Sequence, residues 1–196
     1  MPELDPVAIL KRQLREQTLA AREALPPELR QAAAQAIAER SFPVPLEPGV
    51  VVSGFMPLKS EINPIPLMRK LAARGAFLAL PVVQGRGKPL TMRAYAVGDP
   101  LDSGQWGIRE PKPEAAEVFP DILLVPLSAF DRNGNRIGYG AGYYDMTIAR
   151  LRAMKPVRTI GLAYAMQQVP AVPATERDER LDLVLTERDV IDCGGA

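Results

Sequence analysis

The feature of this sequence that most constrains its fold is a repeated alternation between short apolar, β-branched runs and stretches with helical spacing. Val50 to Met56, Phe77 to Val83, Asp121 to Val125, Thr159 to Leu162 and Leu183 to Thr186 are too short for helices and read as buried strands. A weaker strand is predicted at about Leu90 to Ala96, after the turn-rich Gln84 to Pro89. Helical patterns fall between and before these runs. Leu10, Leu14, Ala21 and Leu25 mark a first helix from about Val7 to Leu25, which Pro26-Pro27 stops. Pro27 to Arg40 starts on proline and continues in strong helix formers. A third helix is predicted from Pro64, capped by Asn63, to Ala73 before Gly75, and a fourth from Tyr143 to Met154. Pro43 to Pro48 is a connector. Strands alternating with helices predict an α/β fold, a three-layer α/β/α sandwich around a mostly parallel sheet. No internal repeat, low-complexity segment or charge block divides the 196 residues, so 1–196 is predicted to be a single domain.

Charge and composition narrow the chemistry. The 24 basic and 23 acidic side chains nearly cancel, so no global field recruits nucleic acid or an anionic membrane, and any anion site must be local. The opening Met1 to Leu10 carries acids in place of a basic leader and no apolar run reaches the ~18 residues of a membrane span, which predicts a cytoplasmic protein. A monomer is expected. The one cysteine, Cys193, stands in a Gly-rich C-terminal tail where fixed geometry and a catalytic thiol are not expected. Histidine is absent altogether, which removes Ser-His-Asp hydrolysis, H-E-x-x-H zinc sites and Cys/His zinc fingers. Carboxylates, Lys, Arg, Tyr, backbone amides and a hard metal remain.

The segment richest in such groups is Phe130 to Asp145, F-D-R-N-G-N-R-I-G-Y-G-A-G-Y-Y-D, between a strand and a helix. Gly138, Gly140 and Gly142 let the backbone approach a ligand, and amides at the following helix start can face an anion. Arg136 adds a planar fork for phosphate and Asp145 a hard oxygen for magnesium. The segment is neither a Walker A loop nor G-x-G-x-x-G, and a plain Gly-rich turn remains an alternative. On the first helix Lys11, Arg15 and Arg22 share a face, which suits either a polyphosphate clamp or a solvated basic surface.

Pro126 to Asp145 resembles the signature of the 5-formyltetrahydrofolate cyclo-ligase family, D-x-x-G-x-R-[L/I]-G-x-G-x-G-Y-Y-D. Further family landmarks occur in order: K-x-x-L-R at Lys11 to Arg15, Glu61-Ile62 after an apolar strand, W-G-I-R-E-P at Trp106 to Pro111, G-L-A-Y-A-M-Q at Gly161 to Gln167, and P-x-x-x-x-D-x-x-x-D-x-V-x-T-E at Pro173 to Glu187. The resemblance implies ATP-dependent cyclisation of 5-formyltetrahydrofolate to 5,10-methenyltetrahydrofolate. It implies that Lys11 and Arg15 contact ATP phosphates, and that Arg136, Ile137, Gly138, Tyr139, Gly140, Ala141, Gly142, Tyr143 and Tyr144 wrap the nucleotide. It further implies catalytic roles for Arg136 and Asp145, Mg²⁺ at Asp145 and Asp178, and a folate pocket lined by Met56, Glu61, Trp106 and Tyr143. Asp182 reads as structural. Three positions depart from the family pattern: Ala141 in the glycine stretch, Met146 after Y-Y-D, and Arg177, which could pair with Asp178. A nucleotide- or RNA-binding protein of the same fold, and a sugar-phosphate isomerase or CoA transferase, are the rival readings.

Overall fold

The computed structural model describes residues 5–194; Met1 to Leu4, part of the acidic opening, lie outside the described residues. A seven-stranded sheet runs in the order β11-β10-β9-β6-β1-β2-β3. Its strands are β1 (Val51–Ser53), β2 (Phe77–Val82), β3 (Thr91–Tyr95), β6 (Ile122–Pro126), β9 (Arg158–Leu162), β10 (Leu183–Leu185) and β11 (Val190–Asp192). The central pairs β10/β9, β9/β6, β6/β1 and β1/β2 are parallel, while β3 and β11 close the two edges antiparallel.

Four helices cover the sheet: α1 (Pro6–Glu23), α2 (Pro27–Glu39), α3 (Ile65–Ala73) and α4 (Tyr143–Met154). Ile122 and Leu124 of β6 point into one apolar cluster with Ile37 of α2 and Leu67, Met68 and Leu71 of α3. Leu123 and Val125 point into another with Ile148 and Leu151 of α4. The period-2 alternation of a strand covered on both faces thus produces the three layers, and explains why β6 is apolar throughout. α3 starts one residue later than predicted, with Pro64 in the N-cap position, and Asn63 stands just before it, its Oδ1 accepting from the Ile65 amide at 3.0 Å.

The strand at Val50 to Met56 is shorter than predicted, because the chain leaves the sheet at Gly54, where a Cβ would collide with Met68 of α3. Two hairpins were not anticipated. One pairs β4 (Leu101–Ser103) with β5 (Arg109–Pro111), and the other β7 (Ala129–Phe130) with β8 (Arg136–Ile137). Cys193 departs from expectation more sharply. It is buried in the α4-side cluster, its amide donates to Asp182 O at 3.0 Å, and burial pushes its thiol up to about 11. Its geometry is fixed because β11 returns along β10 and carries the tail into the core.

Candidate active site

A cavity of about 810 Å³ opens beyond the carboxyl ends of β1, β2 and β6, the place where open parallel sheets hold ligands. Met56 follows β1, Pro81 and Val83 come from the end of β2, and Pro126 ends β6. The β8–α4 loop, the N-terminal half of α1 and the tip of the β4–β5 hairpin supply the rest. Every residue that the family resemblance assigns to ATP, folate or magnesium lies on its wall: Lys11, Arg15, Met56, Glu61, Trp106, Arg136 through Asp145, and Asp178.

The loop is built from its own sequence. Asp131, almost fully buried, accepts from the amides of Asn133 and Asn135 through Oδ1 and from Val172 through Oδ2, folding D-R-N-G-N into the β7–β8 turn. Gly134 completes that turn at φ +83°, where a Cβ would strike the Leu181 carbonyl. Arg136 is thereby delivered beneath the cavity with only 5% exposure. Its Nη1 and Nη2 each stand 3.0 Å from Asp145 Oδ1, which also accepts from the Glu179 amide at 3.0 Å. Burial lowers the Arg136 pKa, opposed chiefly by the charge of Asp145. The Nε of Arg136 and the hydroxyl of Tyr144 are buried with no hydrogen-bond partner among the described residues.

Gly140 and Gly142 sit at φ +98° and +69°, conformations that favour glycine. Gly142 is the N-cap of α4 and offers no side-chain oxygen, so the first-turn amides of that helix keep their donors for a ligand. Arg15, half-buried, donates from Nε to Gly138 O at 2.7 Å and brings a guanidinium nitrogen to 3.5 Å from where a Gly140 Cβ would stand. Burial lowers its pKa as well. Lys11 Nζ donates to Asp178 Oδ2 at 2.5 Å, and that oxygen also accepts from the Thr175 amide and hydroxyl. Burial would raise the Asp178 pKa, but these donors outweigh it and hold the carboxyl below its ordinary value. Arg177 is exposed and leaves Asp178 to Lys11, so the anticipated competition does not arise. Arg22 does not join a phosphate clamp: it is 1% exposed and lies behind the cavity wall, where no phosphate can reach it.

No cluster of three or more potential metal ligands exists among the described residues. Magnesium commonly takes only one or two carboxylates plus phosphate oxygens and water. Protein hydrogen bonds to Asp145 fall on Oδ1 and those to Asp178 on Oδ2, so each carboxylate on this wall keeps a second oxygen. The donor set therefore fits the ion.

The other half of the cavity is apolar and aromatic. Trp106 stands in a helical turn at the hairpin tip with φ +56°, 69% exposed, its ring 6.1 Å from that of Tyr143 and tilted 51° to it. Glu61 is buried; its Oε2 accepts from the Leu58 amide at 2.7 Å, and burial raises its pKa above the ordinary range. Two charged wall residues were missed. Glu110, in the W-G-I-R-E-P stretch, is buried with Oε1 accepting from the Val83 amide at 3.1 Å. Lys59 precedes Ser60-Glu61 at φ +50°. Neither carries a signal of its own in the sequence, since only the folded β2 and β5 bring Glu110 inward.

The model of the 5-formyltetrahydrofolate cyclo-ligase family matches residues 8–187. The chain is 33% identical to the 5-formyltetrahydrofolate cyclo-ligase of Escherichia coli K12 over 177 residues, covering 86% of this chain and 96% of that one. Against the same-named protein of Mycolicibacterium smegmatis it is 33% identical over 186 residues, 91% of this chain and 94% of the relative. Among solved structures it is similar to the Aquifex aeolicus 5,10-methenyltetrahydrofolate synthetase, with TM-score 0.77 and 29% identity over 95% of this chain and 94% of that one. It shares the fold of the Mycoplasma pneumoniae 5,10-methenyltetrahydrofolate synthetase, with TM-score 0.71 at 23% identity over 90% and 98% of the two chains. A family match across nearly the whole length, together with the glycine loop, its buried arginine and the aromatic-lined cavity, means that this chain belongs to the 5-formyltetrahydrofolate cyclo-ligase family.

Proposed function

We propose that this chain converts 5-formyltetrahydrofolate to 5,10-methenyltetrahydrofolate with conversion of ATP to ADP and phosphate, and that the residues of the β1–β2–β6 cavity perform it. The observation that carries the reading is that one cavity joins a cationic, amide-rich half to an aromatic half with a buried carboxyl. Lys11, Arg15 and the loop from Arg136 through Tyr144 hold the triphosphate, using charge and the free amides of α4. Met56, Trp106 and Tyr143 hold the flat pterin, and Glu61 accepts from its amino-pyrimidine edge.

The formyl oxygen attacks the γ-phosphorus and the bond to ADP breaks. The nitrogen at position 10 then closes the ring on the same carbon, losing its proton, and phosphate leaves. Such transfer depends on positioning and charge neutralisation more than on a strong base, which suits a chain without histidine. Arg136, shielded from water and aligned by Asp145, neutralises developing charge. Asp145 and Asp178 would hold Mg²⁺, which when bound neutralises the phosphate oxygens. We take the protein to be a cytoplasmic monomer acting on small molecules without a nucleic-acid partner; the near-zero net charge supports this, and no described helix is long and apolar enough to cross a membrane.

The test is the absorbance rise of methenyltetrahydrofolate on mixing protein, 5-formyltetrahydrofolate, ATP and magnesium. A rise that requires all four components is expected. No rise would refute the assignment.

A further inference from the structure

Arg22 is a buried cation that phosphate binding does not explain. It lies on α1, two turns beyond Arg15, and is 1% exposed. Its Nε donates to Ser60 Oγ at 3.0 Å, its Nη1 to Leu127 O at 3.4 Å and its Nη2 to the Tyr139 hydroxyl at 2.7 Å. None of these partners is a carboxylate. Burying a guanidinium without a direct ion pair is costly, so its three neutral contacts call for a purpose.

Those contacts join two parts of the cavity wall that are far apart in sequence. Ser60 leads into Glu61, and this turn is pinned from behind by the Tyr164 hydroxyl, 3.2 Å from Ser60 O and 3.4 Å from Glu61 O. Tyr139 belongs to the glycine loop. Its hydroxyl accepts from Arg22 Nη2 at 2.7 Å, and the Nε of the same guanidinium holds Ser60, the residue before Glu61, at 3.0 Å. The Ser60–Glu61 side is anchored, while the loop side has two glycines at positive φ and an exposed apex at Gly140 and Ala141. A ligand seated on the loop therefore sets where the Tyr139 hydroxyl stands, and through Arg22 that position bears on the Ser60 turn, which carries the carboxyl offered to the other ligand.

Building on the reading that nucleotide and folate share this cavity, we propose that Arg22 and Tyr139 are positioning residues that couple the two binding halves. Ordering the glycine loop on the nucleotide fixes Tyr139 on Arg22, Arg22 through Ser60 sets the turn that presents Glu61 to the folate, and folate on Glu61 steadies the loop by the same route. Such coupling is reciprocal: each ligand raises the affinity for the other by one factor. A single hydrogen bond of about 1 kcal/mol corresponds to roughly fivefold.

The experiment is calorimetric titration of the non-hydrolysable nucleotide AMP-PNP with magnesium, in the absence and presence of saturating 5-formyltetrahydrofolate. The wild type is expected to bind the nucleotide about fivefold tighter or more when folate is present. Tyr139→Phe, which keeps the ring, is expected to bring that ratio to within about twofold of one. Arg22→Gln in the Tyr139→Phe background should then change the ratio no further, and the Tyr139→Phe result stands even if the double variant does not fold. A wild-type ratio of one, or a Tyr139→Phe ratio equal to wild type, overturns the coupling. Failure of the functional reading looks different, since wild type would then bind neither ligand or form no methenyltetrahydrofolate.

Discussion

Asp145→Asn tests the centre of the site, because it removes one charge and leaves the shape nearly unchanged. In the native protein Asp145 Oδ1 receives both terminal nitrogens of Arg136 and the Glu179 amide, all at 3.0 Å. The Arg136 side chain is only 4% exposed and that of Asp145 21%. Removing one partner of a buried pair costs about 3–5 kcal/mol, because the other charge is left in a poor solvent. Here the asparagine oxygen still accepts and the cavity admits water to the Asp145 side, which brings the expected cost to roughly 1–3 kcal/mol. For a chain of this size that lowers Tm by roughly 3–10 °C. Urea denaturation at pH 7 measures it, with Arg136→Gln and the double variant completing a cycle. The double variant should lose less than the sum of the single losses, since the orphaned charge is gone. A single-variant cost below about 0.5 kcal/mol, or strict additivity, would refute the reading of the pair as buried and coupled. Separately, Asp145→Asn and Asp178→Asn should require more magnesium for turnover while retaining folate binding, because Met56, Glu61 and Trp106 come from other segments. Wild-type magnesium dependence in both would sink the metal role.

Gly140→Val forces a β-branched residue to φ +98° beside Arg15 and should abolish nucleotide binding in calorimetry while costing about 1–3 kcal/mol of stability; normal ATP affinity would reduce the loop to a plain turn. Glu61 has a folded pKa raised chiefly by burial, so its stabilising contribution is fully present below its unfolded value near ~4.3 and is lost as pH rises through the folded value. Glu61→Gln should therefore flatten the fall of stability above that pH and gain stability at pH 7 while weakening folate binding; an unchanged pH profile counts against the burial argument. Cys193, with its thiol pushed up to about 11, should resist iodoacetamide at pH 7.5 in the native protein and react once urea exposes it; prompt native labelling would place it outside the core.

The layers of the fold were legible because β2, β6 and β10 are continuous apolar runs and the helices carry their own stops. Ile122 to Val125 could only be a strand covered on both sides, and Pro26-Pro27 and Gly75 end their helices by rules local to the chain. The hairpins were not, since β4, β5, β7 and β8 span two or three residues and are held by distant groups such as Glu110 on Val83 and Asp131 on Val172. The same distinction governs the site. Phe130 to Asp145 announces itself because its glycines, arginine and aspartate are contiguous, whereas the Asp178–Lys11 pair joins residues 167 positions apart. Arg22 misled because its spacing from Arg15 matches the same helical face, yet the chain packs the β6–β7 connection and the Ser60 turn over that end of α1. Cys193 misled through its glycine neighbours, which say nothing about the return of β11 along β10.

Trp106 at the hairpin tip has a consequence for the bench. It is the chain's single tryptophan, so the protein's indole emission arises from one point at the cavity mouth, with no background from the core. Its ring is largely open to water and leans over Tyr143, so a pterin sliding against it would both exclude solvent and quench by stacking. The molecule thus carries a built-in fluorophore for occupancy of its aromatic half, and stopped-flow emission could time folate arrival independently of any chemical step.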